Sequence, residues 1–318
     1  MTHKGGCLFS GNGCDEMTEN EQPGISVLIP SFNHAKYLRE TIDSVFAQTF
    51  KDVECVVVDG GSTDGTIDIL KEYPQVRWIS EKETDANKVL EAFRKAFALS
   101  RGRYIIQCCV SDGFTSRRWF ELCHDRLEQD AEISLVWGLP QYMTEDGDLG
   151  KVTNPEFLVK PPPQKKDFLA FWFATFYGFH EGNYCVRREI FDECFPRRNE
   201  PCLFQASPQI AFLYEFNTRG YLPYFLPVAA NFGRAHANQR VLSLWEPLDK
   251  EIRLYKQMIK EYQEDLLSGR KRHDFRNGAA QVIGAVPRSD LGRLRRAVWG
   301  HYLKYKIAKR LIETQERL

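Results

Sequence analysis

The 318-residue sequence has no net charge to exploit, since 43 acidic side chains balance 43 basic ones. That balance supplies no argument for a nucleic acid, and none is expected as a partner. No stretch approaches the ~20 apolar residues that span a bilayer. The richest, residues 168–179, is short and runs into His180 and Glu181. The nine cysteines include no C-x-x-C pair. Cys55, Cys108, Cys109 and Cys185 sit inside apolar runs, where a free thiol behaves as a small hydrophobe. Cys7 and Cys14 have no histidine pattern beside them that would suggest a metal. These absences argue against a disulfide scaffold and point to a reducing cytoplasm. Residues 1–22 carry no basic-then-apolar signal and read as a flexible leader. No internal repeat occurs.

What is present is alternation. Residues 25–29 form an apolar run ended by Pro30, and residues 53–58 form a second, broken by Asp59-Gly60-Gly61. Both read as buried strands. Tyr37, Leu38, Ile42, Val45 and Phe46 recur at helical spacing between them. Residues 66–72, 87–100 and 119–127 read as helices, and residues 76–80, 104–109 and 133–137 as strands. Ser111-Asp112-Gly113 reads as a turn. Short loops between alternating strands and helices imply an α/β fold: a mostly parallel sheet with helices on both faces. After about residue 140 the pattern loosens. A strand at 141–143, a boundary at Pro161-Pro162-Pro163, a helix at 209–219 and a strand at 224–228 are expected, then helix from Trp245 with a break near 284–287. The layout is therefore a leader (1–22), a regularly alternating half (23–140), a looser half of the same domain (141–244) and a helical C-terminal region (245–318).

Ligands on such sheets bind beyond the carboxyl ends of the strands. Pro30, Ser31, Phe32, Asn33, Asp59, Glu81 and Asp112 all fall just after predicted strands. A carboxylate at Asp59 can accept a hydrogen bond from the imide N–H of uracil or thymine, and Gly60 and Gly61 let the chain turn tightly after it. Asp64 reads as a cap for the following helix.

The segment ISVLIPSFNHAKYLRETIDSVFAQTFKDVECVVVDGGSTDGTIDIL, residues 25–70, resembles the opening of a family 2 glycosyltransferase of the GT-A fold, and weaker similarity continues through SE, GRYI and SDG to about residue 113. The resemblance implies a Rossmann-like sheet, a nucleotide-diphospho-sugar donor and an inverting transfer, with 23–140 as the nucleotide-sugar-binding half and 141–244 as the acceptor-binding and catalytic half of one domain. It places Pro30, Ser31, Phe32, Asn33, Asp59, Glu81, Asp85, Lys88, Ser111 and Asp112 at the donor, with Lys95 as the alternative to Lys88 for the diphosphate. It implies a divalent ion, Mn²⁺ or Mg²⁺, on Asp112, with His236 of GRAHANQ as a further ligand. The family usually has more acids in this short motif than the single Asp of Ser111-Asp112-Gly113. The family's general base, an Asp ahead of a helix ending in Gly, falls at Gln209, which cannot serve as a base. Glu181, in FHEGNYCVRR, is the first substitute and Glu215 the second.

The reading is thus a glycosyltransferase, the donor favoured as a UDP-sugar and the acceptor a saccharide or lipid-linked hydroxyl. A catalytically degenerate relative that binds nucleotide or serves as a scaffold is the alternative. A sugar-phosphate nucleotidyltransferase would need a Gly-rich basic loop that Pro30–Asn33 lacks. Residues 288–318 are basic, with Arg293, Arg295, Arg296, Lys304, Lys306, Lys309 and Arg310 among Leu294, Val298, Trp299, Tyr302, Tyr305, Ile307 and Leu311. Two readings stay open for them: a helix packed on the domain, or one in peripheral contact with the inner face of a membrane.

Overall fold

The computed structural model describes residues 22–82, 88–152, 162–177, 181–196, 204, 207–236 and 245–315. In chain order its elements are β1 (Ile25–Ser31), α1 (Ala35–Phe46), β2 (Val53–Asp59), α2 (Thr66–Lys71), β3 (Val76–Ser80), α3 (Lys88–Leu99), β4 (Tyr104–Gln107), β5 (Gly113–Phe114), α4 (Trp119–Gln129), β6 (Leu135–Met143), β7 (Leu149–Val152), α5 (Phe168–Thr175), β8 (Tyr184–Arg187), α6 (Arg188–Cys194), α7 (Pro208–Thr218), β9 (Pro223–Arg234), α8 (Trp245–Leu267), β10 (Asp274–Arg276), β11 (Val282–Ala285) and α9 (Leu291–Gln315).

Among the described residues, nine strands make one sheet in the order β3-β2-β1-β4-β8-β6-β9-β5, with β7 on β6. The first four run parallel, as the alternation predicts. The rest is mixed. β8 is antiparallel to both β4 and β6, β6 is parallel to β9, and β9 is antiparallel to β5. Strands drawn from both predicted halves, 23–140 and 141–244, therefore share one sheet.

Each strand of the parallel part feeds two cores, because successive side chains point to opposite faces. Val27, Ile29, Cys55 and Val57 pack with Leu38 and Ile42 of α1, Leu70 of α2 and Phe120 of α4. Leu28, Val56 and Val58 face the other way, among Phe93 of α3, Trp172 of α5, Phe191 of α6 and Phe212 of α7. Burial on both faces is why these strands read as continuous apolar runs. The apolar segment 168–175 is a helix buried on every side, and its Trp172 Nε1 donates to Tyr255 Oη at 2.9 Å. No described helix is long and apolar enough to cross a membrane. The six described cysteines are free thiols.

Three elements depart from the sequence expectation. Pro30 does not end β1: it pairs in register with Val58, and Ser31 with Asp59. Ser31 O accepts from Gly60 N on the β2 side, so the missing N–H of Pro30 faces the β4 side, where pairing stops at Leu28 with Gln107. The predicted strands 133–137 and 141–143 are one strand, β6, continuous because β9 pairs with it from Leu135 to Met143. The region after Trp245 is not purely helical, since β10 and β11 form a two-stranded hairpin.

Candidate functional site

The sheet topology gathers polar groups at the carboxyl ends of β1, β2, β3 and β4. Ser31, Asp59 and Ser80 stand side by side in register across three strands. Asp59 has no exposed surface. Its Oδ2 accepts from Gly61 N and Ser62 N, both at 2.9 Å, and from Ser80 Oγ at 2.7 Å, while Oδ1 accepts from Ser62 Oγ. The carboxylate thus folds its own loop, and Gly61 supplies the φ of +84° that the turn needs. Asn33, itself at φ +53°, is tied to the same loop: its N–H donates to Ser62 Oγ at 2.7 Å and its Oδ1 accepts from Thr63 N at 2.9 Å. Phe32 stands out beside it, 45% exposed. Asp64 lies one residue before Gly65, the N-cap of α2, and accepts from Thr66 N and Thr66 Oγ1 and also from Ala35 N at the start of α1.

At the edge of this row, Glu81 N donates to Asp59 O, and the Glu81 carboxylate pairs with Lys95 Nζ at 2.7 Å. Lys95 is therefore engaged with an acid of the same predicted site. Asp85 lies outside the described residues, and Lys88 is the first residue of α3.

The second cluster forms where β4 ends. Because β8 runs antiparallel to β4, the chain just before β8 arrives beside the carboxyl end of β4, and Glu181 with it. Cys109 Sγ donates to Glu181 Oε2 at 3.0 Å. Because β9 ends next to β5, Arg234 and His236 arrive there too. Arg234 N donates to Asp112 Oδ1 at 3.1 Å, and His236 Nε2 lies 3.2 Å from Ser111 Oγ. Glu181 is thus brought to Cys109 and His236 to Ser111, both within three positions of Asp112.

The turn at Ser111 is strained, with φ +89° on a non-glycine residue. Thr41 Oγ1 clamps it, donating to Asp112 O at 2.7 Å and accepting from Ser111 N. The Arg234 guanidinium clamps it from the other side. It reaches Ser111 O at 3.4 Å, Thr144 O at 3.2 Å, Glu145 O at 3.0 Å and the Glu40 carboxylate. Arg234 and Thr41 were not anticipated. The Arg-x-His spacing was the only hint of Arg234, and an ordinary helical threonine gives none.

Burial pushes the Asp112 carboxyl up to about 7; the Arg234 N–H opposes this and the charge of Glu181 adds to it. Burial, and then the neighbouring His34, hold the His236 imidazole below its ordinary value. An acid crowded by a second acid is an electrostatic setting that a divalent cation relieves. The described residues hold no group of three or more candidate metal-binding side chains. The protein groups fit an ion only in company with oxygens from a diphosphate.

Two departures from the family pattern have physical reasons. A Cβ on Gly113 would lie 2.6 Å from the Phe232 ring and 2.8 Å from Ser44 Oγ, so an acid at this position requires those side chains to shift. Gln209 is buried in a chain with Tyr184 and Gln107: Tyr184 Oη contacts both amide oxygens, at 3.1 Å for Gln209. One hydroxyl proton cannot serve two oxygens, so one amide is turned to donate its N–H to Tyr184 Oη. Glu215, the second substitute base, pairs with Arg219 Nε at 2.9 Å on the same helix.

The family model described as Glycosyl transferase family 2 matches residues 26–195, more than half of the chain. The chain belongs to that family. This family 2 member is 34% identical to the chondroitin synthase of Escherichia coli over 139 residues, 42% of this chain and 20% of that protein. The chain thus matches about a fifth of the length of that curated relative. Among solved structures it is similar to Staphylococcus aureus TarS 1-349 in complex with UDP-GlcNAc, with a TM-score of 0.55, 14% identity, and coverage of 89% of this chain and 73% of that one. It is likewise similar to the mannosyltransferase PcManGT from Pyrobaculum calidifontis in complex with GDP-Man and Mn²⁺, with a TM-score of 0.54, 14% identity, and coverage of 90% and 74%. At these identities the two structures establish the fold of the family 2 chain, a mixed sheet flanked by helices.

Proposed function

We propose that this protein transfers a sugar from a nucleotide diphosphate, with UDP the favoured nucleotide, to a hydroxyl of a saccharide or lipid-linked acceptor, inverting the anomeric centre. The observation that carries the reading is the row Ser31–Asp59–Ser80 beside the Asp112–Glu181–His236 cluster, both at the carboxyl edge of a family 2 sheet. In this reading the base and ribose lie over the Ser31–Asn33 loop. The imide N–H of uracil takes the Oδ1 position on Asp59 that the Ser62 hydroxyl fills, so Ser62 must swing away. Ser31 Oγ, a buried polar atom that lacks a partner among the described residues, lies at the end of β1 and supports a polar ligand there.

Asp112 and His236 would hold the divalent ion, Mn²⁺ or Mg²⁺, which neutralises the departing diphosphate. The acceptor oxygen attacks the anomeric carbon as the bond to the diphosphate oxygen breaks. Glu181 accepts the acceptor's proton. Cys109 donates to one Glu181 oxygen and so orients the carboxylate; burial and the charge of Glu181 hold the thiol itself well above its ordinary value, so it stays protonated as a donor. Gln209 then stabilises Tyr184 in the floor of the site rather than acting on a proton.

Glu181→Gln tests this. It should lower UDP-sugar turnover by roughly 10²–10⁴-fold with UDP affinity within about twofold. Wild-type turnover in that variant would remove Glu181 as the base. A second reading rests on the crowded position of Gly113 and the burial of Gln209: a relative that binds nucleotide without transferring sugar. It predicts UDP binding with no turnover in the unaltered protein.

A further inference from the structure

We propose that α9 docks this protein onto an anionic lipid surface. The helix has two distinct faces. Leu294, Ala297 and Val298 pack into the main core, and the His301 ring sits edge-on to Phe171 of α5 at 5.8 Å. The opposite face carries Trp299, Leu303 and Ile307 at i, i+4 and i+8, exposed by 59, 53 and 60%. Tyr302 borders them, its ring 5.8 Å from that of Trp299. Four of the eight large exposed apolar side chains among the described residues lie on this one helix face. An apolar stripe turned to solvent costs free energy unless something covers it.

Its surroundings identify the cover. Residues 291–312 contain no Asp or Glu, and Arg293, Arg295, Arg296, Lys304, Lys306, Lys309 and Arg310 are all exposed. On the helix, Arg296 and Arg310 continue the line of the stripe beyond its two ends, and Lys304 and Lys306 flank it. Long basic side chains can lay their stems beside an inserted apolar stripe while their charges reach lipid phosphates. A second copy docking face to face would oppose two surfaces of the same positive sign. A nucleic acid would meet the charges but leave the aliphatic side chains uncovered. An anionic bilayer satisfies both features, with Trp299 at the depth that indole rings favour. The helix that α9 packs against, α5, ends six residues before Glu181, so docking would hold the bilayer on the body that carries the candidate base.

The test is co-sedimentation of the full chain with phosphatidylcholine vesicles and with mixed phosphatidylcholine–phosphatidylglycerol vesicles, at low and high salt. The unaltered protein should bind only the mixed vesicles, more weakly in high salt. A Trp299→Ser/Leu303→Ser/Ile307→Ser variant and a Lys304→Glu/Lys306→Glu variant should each lose at least about tenfold in partitioning. All five side chains are exposed, and unchanged thermal melts would report intact folds. Failure of the unaltered protein to bind mixed vesicles would overturn the proposal, whether the chain stays monomeric or self-associates. Equal binding by both variants would do the same. Either result leaves the donor-site reading untouched, because that reading uses no residue of α9 and is measured with soluble nucleotide.

Discussion

Replacing Arg234 with methionine removes the guanidinium while nearly keeping its length, so the variant isolates what the buried charge does. The arginine side chain is 3% exposed. Its loss takes from the carbonyls of Thr144 and Glu145 donors that stood at 3.2 and 3.0 Å, though Thr144 O keeps the Gly147 N–H at 3.1 Å. Each of these partly exposed bonds contributes about 0.5–1.5 kcal/mol net. The pair with Glu40 adds at most about 1 kcal/mol, because that carboxylate is 49% exposed and water takes over. The bond to Ser111 O, at 3.4 Å, is too long to count for much. The sum is roughly 1–4 kcal/mol, less than the 5–15 kcal/mol that folded chains commonly hold, so the variant should fold. A thermal melt should fall by roughly 2–6 °C, because a chain of this length unfolds with a large entropy. The backbone N–H to Asp112 survives in any residue, but the strained Ser111 turn loses its brace. Metal-dependent nucleotide affinity should therefore fall further than stability alone explains. Arg234→Lys should recover only part of either effect, since one ammonium cannot span three acceptors. A melt within about 0.5 °C of the unaltered protein would refute the brace.

Other consequences follow from buried groups. Asp59→Asn keeps an acceptor but removes the charge that organises Gly61, Ser62 and Ser80, and should weaken UDP binding by roughly ten- to hundredfold in calorimetry; unchanged affinity would take Asp59 out of the donor site. His273 is buried, 2.9 Å from Tyr262 Oη, and burial lowers its pKa from 6.5 to about 4. The folded state therefore refuses a proton that the unfolded chain accepts, and stability should decline by about 3 kcal/mol as pH falls from about 6.5 to about 4. His273→Gln should flatten that part of the profile, and an unchanged slope in urea titrations at pH 7 and pH 5 would assign the acid sensitivity elsewhere.

The first two strands were legible in the sequence because each is largely buried on both faces and bounded by a residue that cannot continue it without cause. Val76–Ser80 matches its expected span, and β2 gains only Asp59. Pro30 misled because its meaning depends on which neighbour its missing N–H faces, and that is a property of the sheet rather than of the strand. The hairpin of β10 and β11 escaped because strands of three and four residues carry no readable period. For the candidate site, the loops after β1, β2 and β4 were visible as polar breaks after apolar runs. Their braces were not. Arg234 reaches Asp112 across 122 positions of chain, and only the pairing of β9 with β5 and β6 brings them together. Glu181 was chosen from its local motif, and the antiparallel entry of β8 is what carries it to Cys109.

The most direct test of the account is calorimetric titration of the folded protein with UDP and with GDP, each in Mn²⁺ and in EDTA. The account predicts UDP binding that tightens with Mn²⁺, exceeds GDP binding, and loses its metal dependence in Asp112→Asn. Folded protein that binds neither nucleotide would contradict the donor site at the carboxyl edge of this sheet.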